Sequence, residues 1–529
     1  LAPSTFAELV RLAGEARRRV FPPRSGEPPA EPSPRTPSEA DTGRAVLAVR
    51  ARGLLAAGGG LVPCAVLWYW WAVHEGGYPA TVWLAGLPIL AVLGVALAAF
   101  VPRPPLSRAA AASLVALGAL AAWTWLSLLW AESPGIALME AMRRSLYIAA
   151  FALAVLWPPT RSGLRIGAWA LVLAAVGAGI AGISSALAAG DLPDGRLIDP
   201  AGYPNAVAAL LNMGGLAALA LGCAEGVTRG WRALSWGLTG LLWGMAVLAQ
   251  SRGGLFALVV ALALLVAVAP FRRRLIAPVV ATGVALYAVS GTLLEVRPAA
   301  LAGTAGPELE AAAVALAACA LALAAAAVAW ARIEPALAGW FSHRRARPWA
   351  AHRRRSVGLA VVLLLAATVA VAASPSGRGW ANDRYQDFTS PDYDRIDRAD
   401  SRFEGGLGSN RSDYWRVALD TAAEKPLLGN GAGGFRAEYL AERKTDQAPR
   451  FAHAIWAGTL GDLGLPGFAA LMVFAAVGGF GLSSAVRRAD IRDRALVAAS
   501  AIPLVYLGIH ASADWVSAFP ALVVPALGL

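Results

Sequence analysis

The sequence is poor in charged residues and in cysteine. Asp, Glu, Lys and Arg make up 15% of its 529 residues, whereas hydrophobic types make up 57%. A soluble chain would carry about 25% charged residues. The three cysteines, Cys64, Cys223 and Cys319, each lie within an apolar run, and the five histidines are scattered. This spacing matches neither a disulfide framework nor a zinc motif, so we expect no metal site. The low content of charged residues predicts a membrane protein.

Long apolar runs recur along the chain, each of roughly 18 residues or more, which is enough to cross a bilayer as a helix. A transmembrane β-barrel would instead show short alternating segments. The pattern predicts an all-α, polytopic transmembrane helical bundle of about 12–14 spans. The candidate spans are residues 53–73, 82–101, 109–130, 145–157, 166–188, 204–225, 233–249, 254–270, 275–294, 309–331, 356–373, 465–486, 495–510 and 516–529.

Basic residues predict the orientation of these spans. If the N-terminus is cytoplasmic, the short inner loops hold most of the Lys and Arg residues, as the positive-inside rule requires. The same distribution explains the net charge of +12 without a nucleic-acid partner. We therefore expect a multi-pass protein of the cytoplasmic membrane that contacts membrane lipids. The short outer loops would hold only Arg143, Arg144, Arg196, Arg252 and Arg297.

Polar segments divide the chain into four predicted regions. Residues 1–52 are rich in Pro and Arg and are expected to form a disordered cytoplasmic tail. Residues 53–373 would hold the first eleven transmembrane helices. Residues 374–464 would form a large extracytoplasmic loop with short helices, and residues 465–529 would hold the last three transmembrane helices.

Two arginines stand out at the predicted outer face. Arg196 lies in a loop shortly before Asn205, and Arg252 follows Ser251 between two spans. Guanidinium groups bind phosphate in a bidentate manner, and a charge at a membrane helix end suits a water-filled cavity. Snorkelling of the side chain to lipid headgroups is the alternative. For Arg252 the local sequence supports the two interpretations equally.

The long loop contains a predicted amphipathic helix. Ser412 is suited to cap a helix that runs through about Glu424, with Arg411 at its start and Trp415 in its first turns. Such a helix is of the kind that lies on a membrane surface. Most of the many arginines in this loop are expected to be solvated.

Gly429, Gly431 and Gly434 fit the G-x-G-x-x-G spacing of dinucleotide-binding proteins. That motif needs a preceding strand and a βαβ unit, and the sequence predicts neither. We therefore interpret the three residues as a glycine turn.

Two histidines lie at predicted membrane edges. His453 follows the arginine-rich loop, where a histidine can accept a proton or can simply occupy the interface. Asp462 lies nine residues further along. His510 and Asp514 are one helical turn apart and form either a hydrogen-bonded cap or a second polar element of a site; the cap is the favoured interpretation.

Taken in order, these stretches resemble the O-antigen ligase family of bacterial membrane proteins. The resemblance covers roughly residues 110–529, and the ordered set is more specific than any single motif. The matching stretches are Arg196 to Asn205, Ser251 to Gly254, Arg411 to Trp415, Pro426 to Gly431, His453 to Gly467 and His510 to Trp515.

The resemblance implies a helical bundle of the GT-C type. It also implies an enzyme that takes a glycan from an undecaprenyl-diphosphate carrier. The glycan would pass to a glycan, lipid or protein acceptor outside the bacterial inner membrane, without a nucleotide sugar, cofactor or metal. Whether such a chain is a ligase or a polymerase stays open.

The resemblance also implies roles for individual residues. Arg196, Arg252 and Arg411 would bind the diphosphate, and His453 would act as the general base. The chain departs from the family pattern at Ala454, where Asn is frequent, and at Asp462, where Glu is common. The supporting residues would be Asn205, Trp415, Asp462, His510 and Asp514.

Two other functions remain open at the level of sequence. A transporter or flippase of polysaccharide intermediates would carry charged residues deep within its spans or show internal repeats, and we find neither clearly. A non-catalytic membrane scaffold is the other alternative, and Ala454 keeps it open.

Overall fold

A computed structural model of the protein describes residues 61–100, 106–157, 160–343, 375–389, 401–403 and 409–528. The predicted tail, residues 1–52, and the predicted span 356–373 lie outside the described residues. The described residues form helices and no strand, which confirms the all-α prediction. Eight helices within them are long and apolar enough to cross a membrane, so the chain is a polytopic helical membrane protein.

Some of the connections between the α-helices of the described residues contain single 3₁₀ turns. In chain order they are α1 (Leu61–Val73), α2 (Ala80–Trp83), α3 (Gly86–Phe100), α4 (Arg108–Leu126), α5 (Pro134–Leu156), α6 (Arg161–Ala189), α7 (Pro204–Gly222), α8 (Arg229–Leu248), α9 (Arg252–Val268), α10 (Arg272–Leu301), α11 (Gly306–His343), α12 (Pro375–Thr389), α13 (Arg411–Glu424), α14 (Phe435–Glu442), α15 (Ile455–Arg488), α16 (Arg494–Ala511) and α17 (Pro520–Gly528).

Helix α7 lies at the centre of the bundle, and every one of its residues is buried. It packs against α6, α8 and α16. Small residues permit this close approach. A Cβ atom at Gly214 would lie 2.5 Å from the Cβ of Ala175, and one at Gly215 would lie 2.2 Å from Nε1 of Trp243. The Ala- and Gly-rich sequence of this helix therefore fits its central position.

A buried amide joins α7 to two neighbouring helices. Asn212 Nδ2 donates hydrogen bonds to the Tyr506 hydroxyl of α16 at 3.0 Å and to the Gly254 carbonyl of α9 at 3.4 Å. A buried polar group without a partner would be costly, so these bonds favour one arrangement of the three helices. This arrangement holds the first turn of α9 against α16.

Helix α15 contains a kink at Gly464, whose φ of 64° and ψ of −167° are not helical. The indole Nε1 of Trp123 donates a hydrogen bond to the Leu463 carbonyl at 2.9 Å, and the Leu465 amide donates to the Pro426 carbonyl at 2.7 Å. Backbone groups on both sides of the kink therefore have partners outside the helix. The kink fixes the direction in which the first turns of α15 leave the polar loop.

Replacing Gly464 with alanine is expected to destabilise the fold by roughly 1–3 kcal/mol, because a positive φ is strained for a residue with a side chain. In addition, the new Cβ would lie 2.5 Å from the Leu427 carbonyl oxygen. Thermal unfolding in detergent measures the effect. Gly479→Ala in the same helix is the matched control, since no atom lies within 4 Å of its Cβ position. Equal unfolding temperatures for the two variants would contradict this account.

The predicted short span 145–157 is wrong at its start, because α5 begins at Pro134 and has 23 residues. Arg143 and Arg144 therefore lie within a helix and not in an outer loop. Arg143 is buried and pairs with Glu140, one helical turn earlier. The charged residues interrupt the apolar run, but their pairing allows the helix to continue through them.

Other predicted boundaries also shift. Helix α15 begins at Ile455, ten residues before the predicted span, although the kink at Gly464 coincides with the predicted start. Helix α10 extends to Leu301 and includes Arg297, which is buried and donates a hydrogen bond to the Asp194 carbonyl at 2.6 Å. Placing Arg297 in an outer loop was therefore wrong.

Candidate functional site

Asp514 lies at the centre of a polar cluster, in the turn after α16, and its side chain is fully buried. Its carboxylate accepts hydrogen bonds from Arg411 Nη2 at 2.7 Å, from the Tyr203 hydroxyl at 3.0 Å and from Asn205 Nδ2 at 2.6 Å. Charge-assisted hydrogen bonds of this kind are among the stronger ones in proteins. The carboxylate thus joins the start of α7, the start of α13 and the end of α16.

Arg196 extends this cluster. Its Nη2 donates to the amide oxygen of Asn205 at 3.2 Å, and its Nε donates to the Ala249 carbonyl at 3.2 Å. The amide of Asn205 therefore connects Arg196 to Asp514, which in turn pairs with Arg411. Two of the three predicted arginines are in this way held in one hydrogen-bonded chain.

Arg252 is the first residue of α9, and the turn that carries it packs near the same cluster. Ser251 caps the helix, because its Oγ accepts a hydrogen bond from the Gly254 amide at 3.0 Å. A Cβ atom at Gly253 would lie 3.3 Å from Nε2 of His510. The turn that contains Arg252 therefore packs against the last turn of α16. That turn of α16 lies just before Asp514 in the sequence.

His453 lies at the end of the polar loop, with a left-handed backbone at φ 52°. Its Nδ1 is 2.9 Å from the Phe451 carbonyl oxygen, so the hydrogen resides on Nδ1 when the ring is neutral. The ring packs against Tyr414, with centroids 5.1 Å apart, and against Trp515 at 6.2 Å. This arrangement leaves Nε2 as the proton acceptor.

The surroundings of His453 favour its neutral form. Burial lowers its pKa below the usual 6.5, and the positive charge of Arg411 lowers it further. The Asp514 carboxylate and the Phe451 carbonyl act in the opposite direction without reversing the shift. A neutral imidazole with a free lone pair is the form that a general base requires.

His510 and Asp514 do not form the hydrogen-bonded cap that the sequence favoured. His510 Nδ1 is 3.2 Å from the Tyr506 hydroxyl. Asp514 bonds instead to Arg411, and we call the hydrogen-bonded group of Arg196, Asn205, Tyr203, Arg411 and Asp514 the arginine cluster. His510 Nε2 is buried and has no hydrogen-bond partner among the described residues. The second interpretation, that the pair contributes a polar element to the site, describes Asp514 better.

Trp415 and Asp462 lie apart from the arginine cluster. The Trp415 ring contacts Phe388 and Trp456, with centroids 5.6 and 5.5 Å away. The Asp462 carboxylate accepts hydrogen bonds at 2.9 Å from the amides of Gly433 and Phe435. Asp462 therefore holds the loop before α14 against α15.

The glycine segment forms turns, as predicted, with one difference in position. Gly429 and Gly431 have positive φ values of 62° and 81°, but Gly433 and not Gly434 supplies the next one, at 75°. A Cβ atom at Gly429 would lie 2.4 Å from the Gly461 carbonyl oxygen of α15. The glycines thus permit close backbone contact, and no strand precedes them in the described residues.

The helix predicted in the loop is present as α13, although Ser412 does not cap it. Asn410 occupies the capping position in a left-handed conformation, and the Ser412 hydroxyl donates to the Phe388 carbonyl at 3.3 Å. One face of α13 is buried, with Asp413 and Val417 on it, and packs on α15. This packing places Arg411 beside Asp514.

Sequence reasoning assigned no site role to several polar residues that lie beside Asp514 or line a cavity with His453. Tyr203 donates a hydrogen bond to Asp514, and Glu140, Arg143 and Arg144 line a cavity of about 780 Å³ that also borders His453. The i, i+3 spacing of Glu140 and Arg143 inside an apolar run was the available signal. Among the described residues, no group of three or more His, Cys, Asp or Glu side chains is placed to hold a metal ion.

The family model described as O-antigen ligase (Wzy_C) matches residues 312–472. The matched range includes Arg411, Trp415, His453 and Asp462, whereas Arg196, Arg252 and Asp514 lie outside it. No curated protein matches the chain. The family implies an enzyme of glycan transfer with a lipid-linked glycan donor and an acceptor. The match supports the resemblance drawn from the motifs: residues 312–472 match the O-antigen ligase family model, within a multi-pass membrane protein.

Proposed function

We propose that the protein transfers or polymerises a glycan from an undecaprenyl-diphosphate carrier onto an acceptor at the extracytoplasmic face of the bacterial inner membrane. Arg196, Arg252 and Arg411 bind the diphosphate, and His453 is the general base. The observation that carries this proposal is the hydrogen-bonded chain from Arg196 to Arg411 through Asp514, in whose electrostatic field His453 lies.

The chemistry follows from these groups. The acceptor oxygen or nitrogen forms a bond to the anomeric carbon, and the bond between that carbon and the diphosphate oxygen breaks. The electron pair of the broken bond leaves with the diphosphate, and Nε2 of His453 takes the proton of the acceptor. Guanidinium groups stabilise the negative charge that develops on the leaving group. Attack in line with the departing bond inverts the anomeric centre.

The charges of the site suit this donor. A diphosphate esterified at both ends carries two negative charges. The three arginines, balanced in part by the Asp514 carboxylate, supply two positive charges in excess. Asp514 also fixes Arg411 before the donor arrives, because the ion pair is 2.7 Å long and the carboxylate is fully buried. A preorganised guanidinium does not have to reorganise during the reaction.

The test uses purified protein in lipid with an undecaprenyl-diphosphate glycan and candidate acceptors. Release of undecaprenyl diphosphate shows transfer, a ladder of products indicates a polymerase, and a single addition indicates a ligase. We expect the rate to be unchanged in EDTA, since the proposal needs no divalent cation. A protein that binds the donor but releases no carrier with any acceptor would overturn the proposal. Donor flux across vesicles would then indicate a transporter, and its absence a scaffold.

The pH profile of the transfer reports on His453. The base must be unprotonated, and its pKa is lowered below 6.5 by burial and by Arg411. The rate should therefore persist at pH 6.5 and fall only at lower pH, as protons return to the ring. Measurement of kcat/KM for the donor between pH 5 and 8 tests this expectation, because kcat/KM reports the pKa values of the free enzyme. An acid limb at or above pH 6.5 would contradict the proposed role of a buried, neutral imidazole.

A further inference from the structure

Three aromatic side chains form a continuous row on the helices that follow the polar loop. The Trp415 ring of α13 contacts Phe388 of α12, with ring centroids 5.6 Å apart, and Trp456 of α15, with centroids 5.5 Å apart. We call these three residues the aromatic row. Each of them is half-exposed. A contiguous set of partly exposed rings is typical of a contact surface, whereas single exposed rings are ordinary.

The fold holds the two indoles of the row in place without enclosing them. Trp415 and Trp456 pack against the small core of the loop, which contains Phe435 and Tyr439. The Nε1 of Trp456 donates a hydrogen bond to the Ser512 carbonyl at 2.9 Å. Both indoles are therefore fixed on one side, and the exposed part of each ring is left for a ligand.

The aromatic row adjoins the arginine cluster. Trp415 follows Arg411 by four residues on α13, and side chains at this spacing are neighbours on one face of a helix. Trp456 bonds to the carbonyl of Ser512, two residues before Asp514, and Asp514 pairs with Arg411. Contacts therefore connect the proposed diphosphate site to both indoles of the row.

The row also lies near the proposed general base. Trp456 follows His453 by three residues and lies in the first turn of α15. In the proposed reaction the first sugar of the donor is joined to the diphosphate and faces the acceptor, so it lies between the arginines and His453. Trp415 and Trp456 are near both groups. Phe388 continues the row onto α12, where further sugars of the same glycan would follow.

The chemistry of this surface suits a carbohydrate. A pyranose ring has C–H groups on its faces, which pack on aromatic rings, and hydroxyl groups at its edge, which need polar partners. Gln386 and Thr389 are exposed beside Phe388 in the sequence, and Ser512, the partner of Trp456, is exposed as well. A hydrocarbon chain on the same surface would cover these polar groups without bonding to them, which is costly.

We propose that the aromatic row is a glycan subsite, in which Trp415 and Trp456 pack on the sugar next to the diphosphate and Phe388 packs on a sugar farther along. The assignment to the donor glycan rests on the proposed function, because it requires the diphosphate at the arginine cluster. The row contributes recognition of the sugars, whereas the arginines bind the carrier diphosphate. Binding at the row needs no turnover.

Direct binding to the purified full chain tests the subsite with two probes that differ only in their sugar. One probe is undecaprenyl diphosphate, and the other is the same carrier with one N-acetylglucosamine. Trp415→Ala should weaken binding of the sugar-bearing probe roughly threefold to tenfold, the effect of losing one aromatic contact. It should bind the bare carrier as the wild type does. Trp415→Phe keeps an aromatic ring and should restore most of the affinity for the sugar.

Trp231→Ala is the matched control for this experiment. Trp231 is 53% exposed at the start of α8 and contacts Trp169, with ring centroids 5.1 Å apart. It is therefore a partly exposed indole in contact with a second one, as Trp415 is, but it belongs to neither the aromatic row nor the arginine cluster. Its variant should bind both probes as the wild type does. A loss equal to that of Trp415→Ala would overturn the assignment.

A longer glycan tests the direction of the row. Phe388→Ala should weaken binding of the carrier that bears chitotetraose by the same factor as above. It should not alter binding of the carrier that bears one sugar. Phe388 is half-exposed, so this variant keeps the measurement informative even if Trp415→Ala fails to fold. An equal loss for both glycans would overturn the proposed order of the sugars along the row.

The remaining outcomes separate this inference from the proposed function. Unchanged binding of the sugar-bearing probes by Trp415→Ala and Phe388→Ala would overturn the subsite, whether or not glycan transfer occurs. An equal loss of the bare and the sugar-bearing carrier would assign Trp415 to the carrier and would also overturn it. A chain that binds the sugar through Trp415 but transfers no glycan would keep the subsite and remove the proposed function.

Discussion

Replacing His453 with alanine is expected to slow glycan transfer by about 10²–10⁴-fold, the usual contribution of a positioned general base. The alanine cannot take the acceptor proton, whereas the arginine cluster around Asp514 stays intact. Donor binding should therefore persist, and the loss should appear in kcat and not in KM. Release of undecaprenyl diphosphate by purified protein in lipid, measured at saturating donor, gives this comparison directly.

His74→Ala is the matched control for this experiment. His74 is a half-exposed histidine of another loop, stacked on Trp70, and it belongs to neither the arginine cluster nor the cavity. Its variant should retain wild-type transfer. Comparable turnover by His453→Ala, with unchanged folding, would remove the general base from the mechanism. A matched loss of donor binding would instead assign His453 to binding.

Much of the helical architecture could be predicted because apolar runs are a local property. The predicted span 109–130 corresponds to α4, and 204–225 corresponds to α7. The prediction failed at α5, where hydropathy scored Glu140 and Arg143 as separate charged residues. Their side chains pair one helical turn apart and are buried together, a contact that a hydropathy sum does not contain.

The candidate residues were predicted one motif at a time, and their grouping came from the fold. The sequence drew attention to Arg196, Asn205, Arg411 and Asp514, but they lie in different parts of the chain. Only the packing of α7, α13 and α16 brings them into one hydrogen-bonded chain. Local spacing even favoured a cap for Asp514, because the nearest polar residue in sequence was His510. The proposed catalytic roles remain predictions.

Asp514 also links the stability of the site to pH. Burial raises the pKa of its carboxyl, but Arg411, His453 and His510 outweigh burial, so the pKa lies below the usual 3.8. Because the pKa of Asp514 is lower in the folded protein than in the unfolded chain, the carboxylate stabilises the fold at every pH above the usual Asp pKa of 3.8. This stabilisation is lost only as pH falls through the depressed pKa.

Replacing Asp514 should therefore have the largest effect on stability among the residues of the site. Asp514→Ala leaves Arg411, Tyr203 and Asn205 without their shared acceptor. Removing one partner of a buried ion pair costs about 3 kcal/mol or more. We take the lower end because the Arg411 side chain is 20% exposed. Thermal unfolding in detergent measures this loss, with Asp420→Asn, an exposed ion-pair partner on α13, as the control.

Asp514→Asn separates positioning from stability, because the amide keeps the shape of the carboxylate but not its charge. Arg411 would no longer be held in place, and kcat should fall about 10²-fold, as when one preorganised donor to developing charge is lost. KM for the donor should stay unchanged or fall, since a negative charge that repels the diphosphate has been removed. A raised KM with normal kcat would mean that Asp514 contributes to donor binding and does not position Arg411. An unchanged rate would show that the arginine cluster takes no part in the reaction, because the buried carboxylate is the group that holds it together.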